Sequence, residues 1–273
     1  MANHPTDHEQ KLKLKSAFDA AAEGYDCEAL RFFRDSARLI PGFLGLKGDE
    51  RVLDVAAGTG NAAIEIAAAI PNGFVTGIDF SEGMLAVARK KAEARAIENV
   101  EFFSMDMQTL EFPPEYFDAA VFAFSIFFVE DMEALLKHVV SRVRPGGKII
   151  ATSFASGAFS PEMEMFLKTI GRYGVETPAN WKRFYQPEEC IGLMQKAGLK
   201  DSRSDERDLS YNLKDANQWW DIVWNAGLRK FVAALTPSDC ERFKEEHLAE
   251  VASLATPDGI RLEMKILFSQ GVV

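Results

Sequence analysis

Short apolar runs alternate with longer stretches of helical period between about residues 50 and 155. That rhythm predicts a parallel sheet with helices on both faces. Arg51 to Val55, Phe74 to Asp79, Val100 to Met105, Asp118 to Phe124 and Lys148 to Phe154 read as five strands. An Ala/Ile-rich helix fills the first gap and is broken at Pro71-Asn72-Gly73. The second runs from Glu82 to Ala96, where the Ser81 hydroxyl can accept from orphan amides. A third opens at Asp131 and ends before Arg144-Pro145-Gly146-Gly147, which reads as a turn. Ahead of the sheet lie a helix from Lys11 to Ala22 and another from about Cys27 to Ile40, closed by Pro41-Gly42. Beyond residue 155 the rhythm changes. A mixed, aromatic stretch precedes a helix from Pro187 to Gly198 and a sixth strand from Lys200 to Leu213. Two helical patterns then occupy 214–256, and Arg261 to Val272 supplies a last strand, hairpinned antiparallel against the sixth. The expected fold is α/β: a doubly wound, mostly parallel seven-stranded sheet with an antiparallel last strand, helices on both faces and a helical lid.

Composition narrows the function classes. Among 273 residues, 31 Lys and Arg face 41 Asp and Glu, a net charge of −10. A protein this acidic is poorly suited to electrostatic binding of nucleic acid or anionic membranes. Cys27, Cys190 and Cys240 are an odd number at wide spacing, with neither a zinc pattern nor a secreted disulfide framework. No metal is expected. Met1 to Lys15 is polar and charged, unlike a signal peptide, and no window nears the roughly 18–20 apolar residues of a membrane span. The expectation is a cytoplasmic chain without a membrane span, whose partner is a small molecule, with its oligomeric state open.

The strongest local signal is Val52-Leu53-Asp54-Val55-Ala56-Ala57-Gly58-Thr59-Gly60, a buried strand entering a glycine turn and then a helix. Glycines there let the backbone turn sharply and approach a ligand closely. Alone the turn is ambiguous, because Gly58-Thr59-Gly60-Asn61-Ala62-Ala63 also fits the dinucleotide fingerprint G-x-G-x-x-A, with Asp79 at a suitable distance for a ribose. Asp54, four residues before Gly58, crowds a pyrophosphate but suits a cationic amino-acid ligand. Ser104-Met105-Asp106-Met107 follows the third strand, where an Asp can accept from an adenine amino group.

Taken together, residues 16–154 resemble the class I, Rossmann-like S-adenosylmethionine-dependent methyltransferases, in particular the small-molecule type of quinone biosynthesis. Phe18-Asp19-Ala20-Ala21-Ala22-Glu23-Gly24-Tyr25-Asp26 fits that family's F-D-x-x-A-x-x-Y-D segment without a gap. The resemblance implies S-adenosylmethionine as cofactor. It assigns Asp54, Ala56, Gly58 and Gly60 to the methionine end, Asp79 to the ribose, Phe80 and Met84 to the adenine face, and Asp106 with Met107 to the adenine edge. Tyr25, near the sulfonium or carboxylate, and Phe124, along the cofactor, complete the set; Arg31 is a further possibility near that carboxylate. It also implies a division into an N-terminal helical cap (1–48), a cofactor-binding core (49–155), lid insertions with returning core elements (156–260) and a last core strand (261–273). Two departures stand out. Ala56 occupies the loop's usual first glycine, and Ser125-Ile126-Phe127-Phe128-Val129-Glu130-Asp131 is apolar at its centre, so no general base is carried over to it.

The expected reaction is transfer of an activated methyl group to a small acceptor, mainly by alignment and exclusion of water. Proximity and orientation can supply roughly 7–11 kcal/mol of such a barrier. His4, His8, His138 and His247 receive no catalytic role, and Tyr25 is the one side chain considered for it. Phe127, Phe128, Phe159, Trp181, Tyr185, Trp220 and Trp224 are expected around an apolar or aromatic acceptor. An NAD-dependent oxidoreductase and a non-catalytic S-adenosylmethionine-binding module are the alternatives.

Overall fold

The computed structural model describes residues 7–177 and 184–273. Strands β1 (Arg51–Val55), β2 (Phe74–Asp79), β3 (Val100–Ser104), β4 (Phe117–Ala123) and β5 (Val143–Phe154) pair in parallel in the spatial order β3-β2-β1-β4-β5. After Arg51, every residue of β1 is buried, as a strand covered on both faces requires. The pleat sends Val52 to one core cluster and Leu53 and Val55 to the other, one on each side of the sheet. Asp54 therefore shares a face with Val52. Strand β6 (Lys200–Asp208) forms the far edge, and a last strand, Lys265–Val272, lies antiparallel between β5 and β6. The sheet is the expected one: seven strands, mostly parallel, with one antiparallel member.

Helices α1 (Asp7–Ala21), α2 (Arg31–Ala37) and α3 (Ile40–Leu44) precede the sheet; α4 (Asn61–Ala69), α5 (Glu82–Ala94) and α6 (Met132–Val140) connect its parallel strands. Helices α7 (Glu162–Arg172) and α8 (Pro187–Lys196) lie between β5 and β6. The Ser81 hydroxyl caps α5 by accepting from the Met84 amide at 3.2 Å, and Asp131 caps α6 through the Ala134 amide at 2.8 Å. Both caps follow the expected logic of satisfying first-turn donors. Among the described residues no helix is long and apolar enough to cross a membrane.

Three local expectations are corrected. The single strand expected over 200–213 divides into β6 and β7 (Tyr211–Leu213), and that over 261–272 into β8 (Ile260–Leu262) and β9 (Lys265–Val272). The pieces β7 and β8 form a separate two-stranded sheet. The break is fixed by Ser210, whose amide donates to Asp208 at 2.9 Å and whose hydroxyl accepts from the Met264 amide at 2.9 Å. Arg144-Pro145-Gly146-Gly147 lies within β5 as a bulge, since pairing jumps from Phe117↔Val143 to Ala119↔Lys148. The helix expected over 27–40 is interrupted too. It becomes a short 3-10 turn at Glu28–Leu30, then α2, then α3, where Pro41 stands in the first turn and needs no amide partner.

Helices α9 (Ala216–Asn225), α10 (Arg229–Val232) and α11 (Pro237–Ala252) follow β7. Helices α7, α9 and α11 enclose Phe166, Trp219, Phe243 and His247, all fully buried. The Trp219 indole N–H donates to His247 Nε2 at 2.6 Å, and the ring stacks on Phe243 with centroids 5.4 Å apart. Its Nδ1 has no hydrogen-bond partner. Burial, partly opposed by Glu250 and reinforced by Arg172, lowers its pKa to about 4. The folded state thus keeps His247 neutral where the unfolded chain, near 6.5, already takes up a proton. Acid therefore favours unfolding between pH 6.5 and 4. Lowering the pH from 7 to 5 is expected to cost the parent roughly 2 kcal/mol more unfolding free energy than H247Q. Denaturant melts at both pH values check this; the oppositely shifted Asp54 and Glu162 are common to both proteins and cancel in the comparison.

Candidate cofactor site

The loop leaving β1 adopts left-handed backbone three times, at Ala56 (φ 58°), Gly58 (φ 55°) and Gly60 (φ 77°). Glycine does this without steric cost, whereas Ala56 accepts about 1–2 kcal/mol of strain. The two glycines serve different needs. A Cβ on Gly60 would meet Ala88 Cβ at 2.9 Å and the Phe102 ring at 3.0 Å, while one on Gly58 would meet nothing within 4 Å. Gly60 thus allows helix and sheet to pack, and Gly58 borders open space. Helix α4 starts at Asn61 with no side-chain cap on its Gly60 N-cap. Among the described residues, the amides of Thr59, Asn61 and Ala62 have no acceptor. Such a helix N-terminus favours an anionic group.

Three carboxylates stand at the ends of β1, β2 and β3. Asp79 Oδ2 accepts from the Gly58 amide at 2.9 Å and Oδ1 from the Ser81 amide at 2.8 Å. Burial nonetheless raises its pKa, with the backbone donors working against that rise. Asp54 is fully buried beneath the loop; Oδ2 accepts from the Ala63 amide at 2.9 Å and Oδ1 has no partner. Burial pushes its carboxyl up to about 7. Asp106 is half-exposed at the rim, where its Oδ2 meets the Lys11 ammonium of α1 at 3.0 Å and Oδ1 accepts from the Gln108 amide at 2.9 Å.

These elements border a cleft at the carboxyl ends of β1 to β4. Of the cofactor residues expected from the sequence, Tyr25, Ala56, Gly58, Asp79, Phe80, Met84, Asp106, Met107 and Phe124 line it. Asp54 and Gly60 do not; they sit behind the loop, one holding the start of α4 and the other packed on Phe102. Of the expected acceptor residues among the described ones, only Phe128 lines the cleft, 40% exposed and edge-on to Phe18 at 5.4 Å. Phe127 beside it packs on both core clusters. Phe159 is buried against Phe154, Phe32 and Trp219, Trp220 stacks on Trp224 and packs on Phe243, and Tyr185 is buried near α8 with its amide on Glu189. Trp181 lies outside the described residues. Sequence reasoning missed Lys11, Leu14 and Phe33 as cleft residues. Lys11, Leu14 and Phe18 follow i, i+3, i+7 spacing on α1, a stripe that was there to be read.

The cleft is electrostatically divided. Among the described lining residues, the charged side chains are Lys11, Asp79 and Asp106, contributed by α1 and by the ends of β2 and β3. Toward β4 the walls are Tyr25 and Phe33, stacked with centroids 4.9 Å apart and 11° between planes, then Phe124 and Phe128. Ser125 also lines this end, but its hydroxyl donates to the Val55 carbonyl at 2.9 Å. Burial, with help from Asp79 and Asp26, raises the Tyr25 pKa well above its ordinary value, so that hydroxyl stays neutral.

A cleft with an anion-seeking helix start, a buried carboxylate and a ringed apolar end defines a class. Residues 52–147 match the family model described as a methyltransferase domain. The chain is 33% identical over 167 residues to the demethylmenaquinone methyltransferase of Thermus thermophilus, covering 56% of this chain and 76% of the relative. It is 32% identical over 156 residues to aklanonic acid methyltransferase DauC of a Streptomyces species, covering 56% and 71%. Among solved structures, the YcgJ protein of Bacillus subtilis superposes with a TM-score of 0.60 at 19% identity, covering 87% of this chain and 97% of that one; this likeness concerns the fold alone. The chain belongs to the class I S-adenosylmethionine-dependent methyltransferases. Within them it resembles the methyltransferases of quinone biosynthesis, and S-adenosylmethionine is its cofactor.

The two glycines are expected to differ on substitution. G60A adds a clash to left-handed strain and should lose about 2–4 kcal/mol of stability. G58A should lose only about 1 kcal/mol. Urea unfolding of the two variants beside the parent checks the order.

Proposed function

We propose that the chain transfers the methyl group of S-adenosylmethionine to a small apolar or aromatic acceptor by in-line displacement. The observation that supports this reading is the charge-free, ring-walled end of the cleft beside Tyr25, Phe33, Phe124 and Phe128. Two of the relatives are named for demethylmenaquinone and aklanonic acid, which agrees with an acceptor of this kind.

In this reading Asp79 receives the ribose hydroxyls, since each carboxylate oxygen keeps a lone pair beyond its backbone amide. The amides at the start of α4 and the glycine loop at Ala56 and Gly58 receive the methionine end. Phe80 and Met84 pack on the adenine, and Asp106 with Met107 meets its edge. Asp54 and Gly60 support the loop from behind. The bound cofactor supplies a methyl group already activated on a sulfonium. The chain's own contribution is to orient the acceptor between Tyr25 and Phe128 and to exclude water with Phe18 and Phe33. Of the described residues, 7–48 act as a cap on the core of residues 49–155, and those of 156–177 and 184–260 carry the lid.

Replacing Asp79 removes charge-assisted hydrogen bonds of roughly 1.5–3 kcal/mol. D79A is therefore expected to bind S-adenosylhomocysteine about 10- to 150-fold more weakly while its far-ultraviolet dichroism stays native. Unchanged affinity in a folded D79A protein contradicts the assignment. Incubation with methyl-labelled cofactor and a panel of hydroxyquinones, phenols and polar amines tests the acceptor class. Label is expected in the aromatic compounds; label in the polar amines alone rejects an apolar acceptor. F128A should widen the range of aromatic acceptors that take label.

A further inference from the structure

Asp26 ends the F-D-x-x-A-x-x-Y-D segment, next to Tyr25, and is not among the residues that line the cleft. Its carboxylate gathers three elements far apart in sequence. Oδ1 accepts from the Thr59 hydroxyl at 3.0 Å and from the Asn61 side-chain amide at 2.9 Å; Oδ2 meets the Lys91 ammonium of α5 at 2.8 Å. Lys91 also donates to Asn61 Oδ1 at 2.7 Å, and Asn61 to the Thr59 hydroxyl at 3.3 Å, so the four side chains close a ring. Thr59 and Asn61 lie in the glycine loop and first turn of α4, and both line the cleft. Their own backbone amides have no acceptor among the described residues.

The loop they anchor takes left-handed backbone at Ala56, Gly58 and Gly60, strained at Ala56. Asp79 fixes one side of it through the Gly58 amide. The other side, Thr59 to Asn61, has Asp26 as its charged anchor. Removing that carboxylate also leaves Lys91 beside Arg95 and Arg34 without its carboxylate partner.

We propose that Asp26 is a positioning residue: by tying Thr59, Asn61 and Lys91 together it sets the glycine loop and Tyr25 in the geometry that receives S-adenosylmethionine, without touching it. The proposal rests on the cofactor site described above. It makes Asp26 a determinant of cofactor affinity rather than of overall stability, and it makes the amide of D26N a partial replacement, because an amide oxygen still accepts from Thr59 and Asn61.

Calorimetric titration with S-adenosylhomocysteine, beside thermal melts, tests it on the full chain. D26A is expected to bind about tenfold more weakly than the parent, and D26N to recover at least half of that loss on a logarithmic scale. T59V removes the donor from the other side, so the D26A/T59V double variant should lose less than the sum of the two single losses, because the pair acts as a unit. D26A affinity within twofold of the parent overturns the proposal. So do additive losses in the double variant, or a D26N protein as weak as D26A with an unchanged melt. A parent protein that does not bind the probe overturns the cofactor site itself, and this proposal with it; D79A then has no affinity to lose either, which separates the two failures.

Discussion

Two backbone amides from different loops converge on one buried carboxylate, and the site depends on that meeting. Asp79 accepts from Gly58, in the loop after β1, and from Ser81, which caps α5 after β2. The left-handed loop makes one turn bond of its own, from the Gly60 amide to the Ala57 carbonyl at 2.8 Å. It hangs on β2 through the Ala57 amide, which donates to the Ile78 carbonyl at 2.8 Å, so most of its shape is imposed from outside. The imposed shape leaves the α4 amides pointing into the cleft. Burying Asp79 works against its ionisation, and the two amides offset part of that cost. An electrostatic compromise at the floor of the cleft thus doubles as the loop's structural pin.

The third wall of the cleft does not come from the sheet. Helix α1 and the turn after it bring Lys11, Leu14, Phe18 and Tyr25 over the opening. This segment is fastened at separate points: Lys11 on Asp106, Asp19 on the Ser81 hydroxyl at 2.6 Å and the Gly83 amide at 3.1 Å, and Asp26 on the glycine loop. A partly exposed ion pair such as Lys11–Asp106 is weak, on the order of 1 kcal/mol or less, so the segment is held by several contacts together. The rings of Phe18, Phe80, Tyr25 and Phe128 add apolar contact between the same parts. A ligand that fills the cleft therefore strengthens the attachment of its own wall, since it binds the assembled form.

Much of this was legible in the sequence, and the reasons differ by element. The strand–glycine–helix run at 51–63 is local, so its strand, turn and helix start were legible from the apolar run and the glycines, and the Ser81 cap from its hydroxyl. That Asp54 and Gly60 stand behind the loop rather than in the cleft was not. The sheet's antiparallel member followed from the hairpin pattern near 200–272. What failed was long-range. Trp220 and Trp224 share a helix face, as spacing requires, but Trp220 packs on Phe243 and Trp224, stacked on it, is exposed, and neither lines the cleft. Periodicity reports which residues share a side and is silent about what that side meets. Phe33 was passed over for the same reason: its role follows from stacking on Tyr25 across a chain reversal. The division of 200–213 into two strands hinged on the Ser210 hydroxyl, a side-chain contact that alternation cannot encode.

The position of β9 carries a consequence for how the chain assembles. It sits between β5 and β6, bonded along most of its length to both, yet it follows each of them in the sequence. Until residues 265–272 arrive, β5 and β6 have no neighbour on the sides they will share, and each presents bare amides and carbonyls to the surroundings. During synthesis the sheet is therefore a structure with a missing stave, exposed to pairing with other nascent chains for as long as translation of the outer helices lasts. The charged residues of β6, among them Arg203, Asp205, Glu206 and Arg207, mark that strand as one able to wait in water.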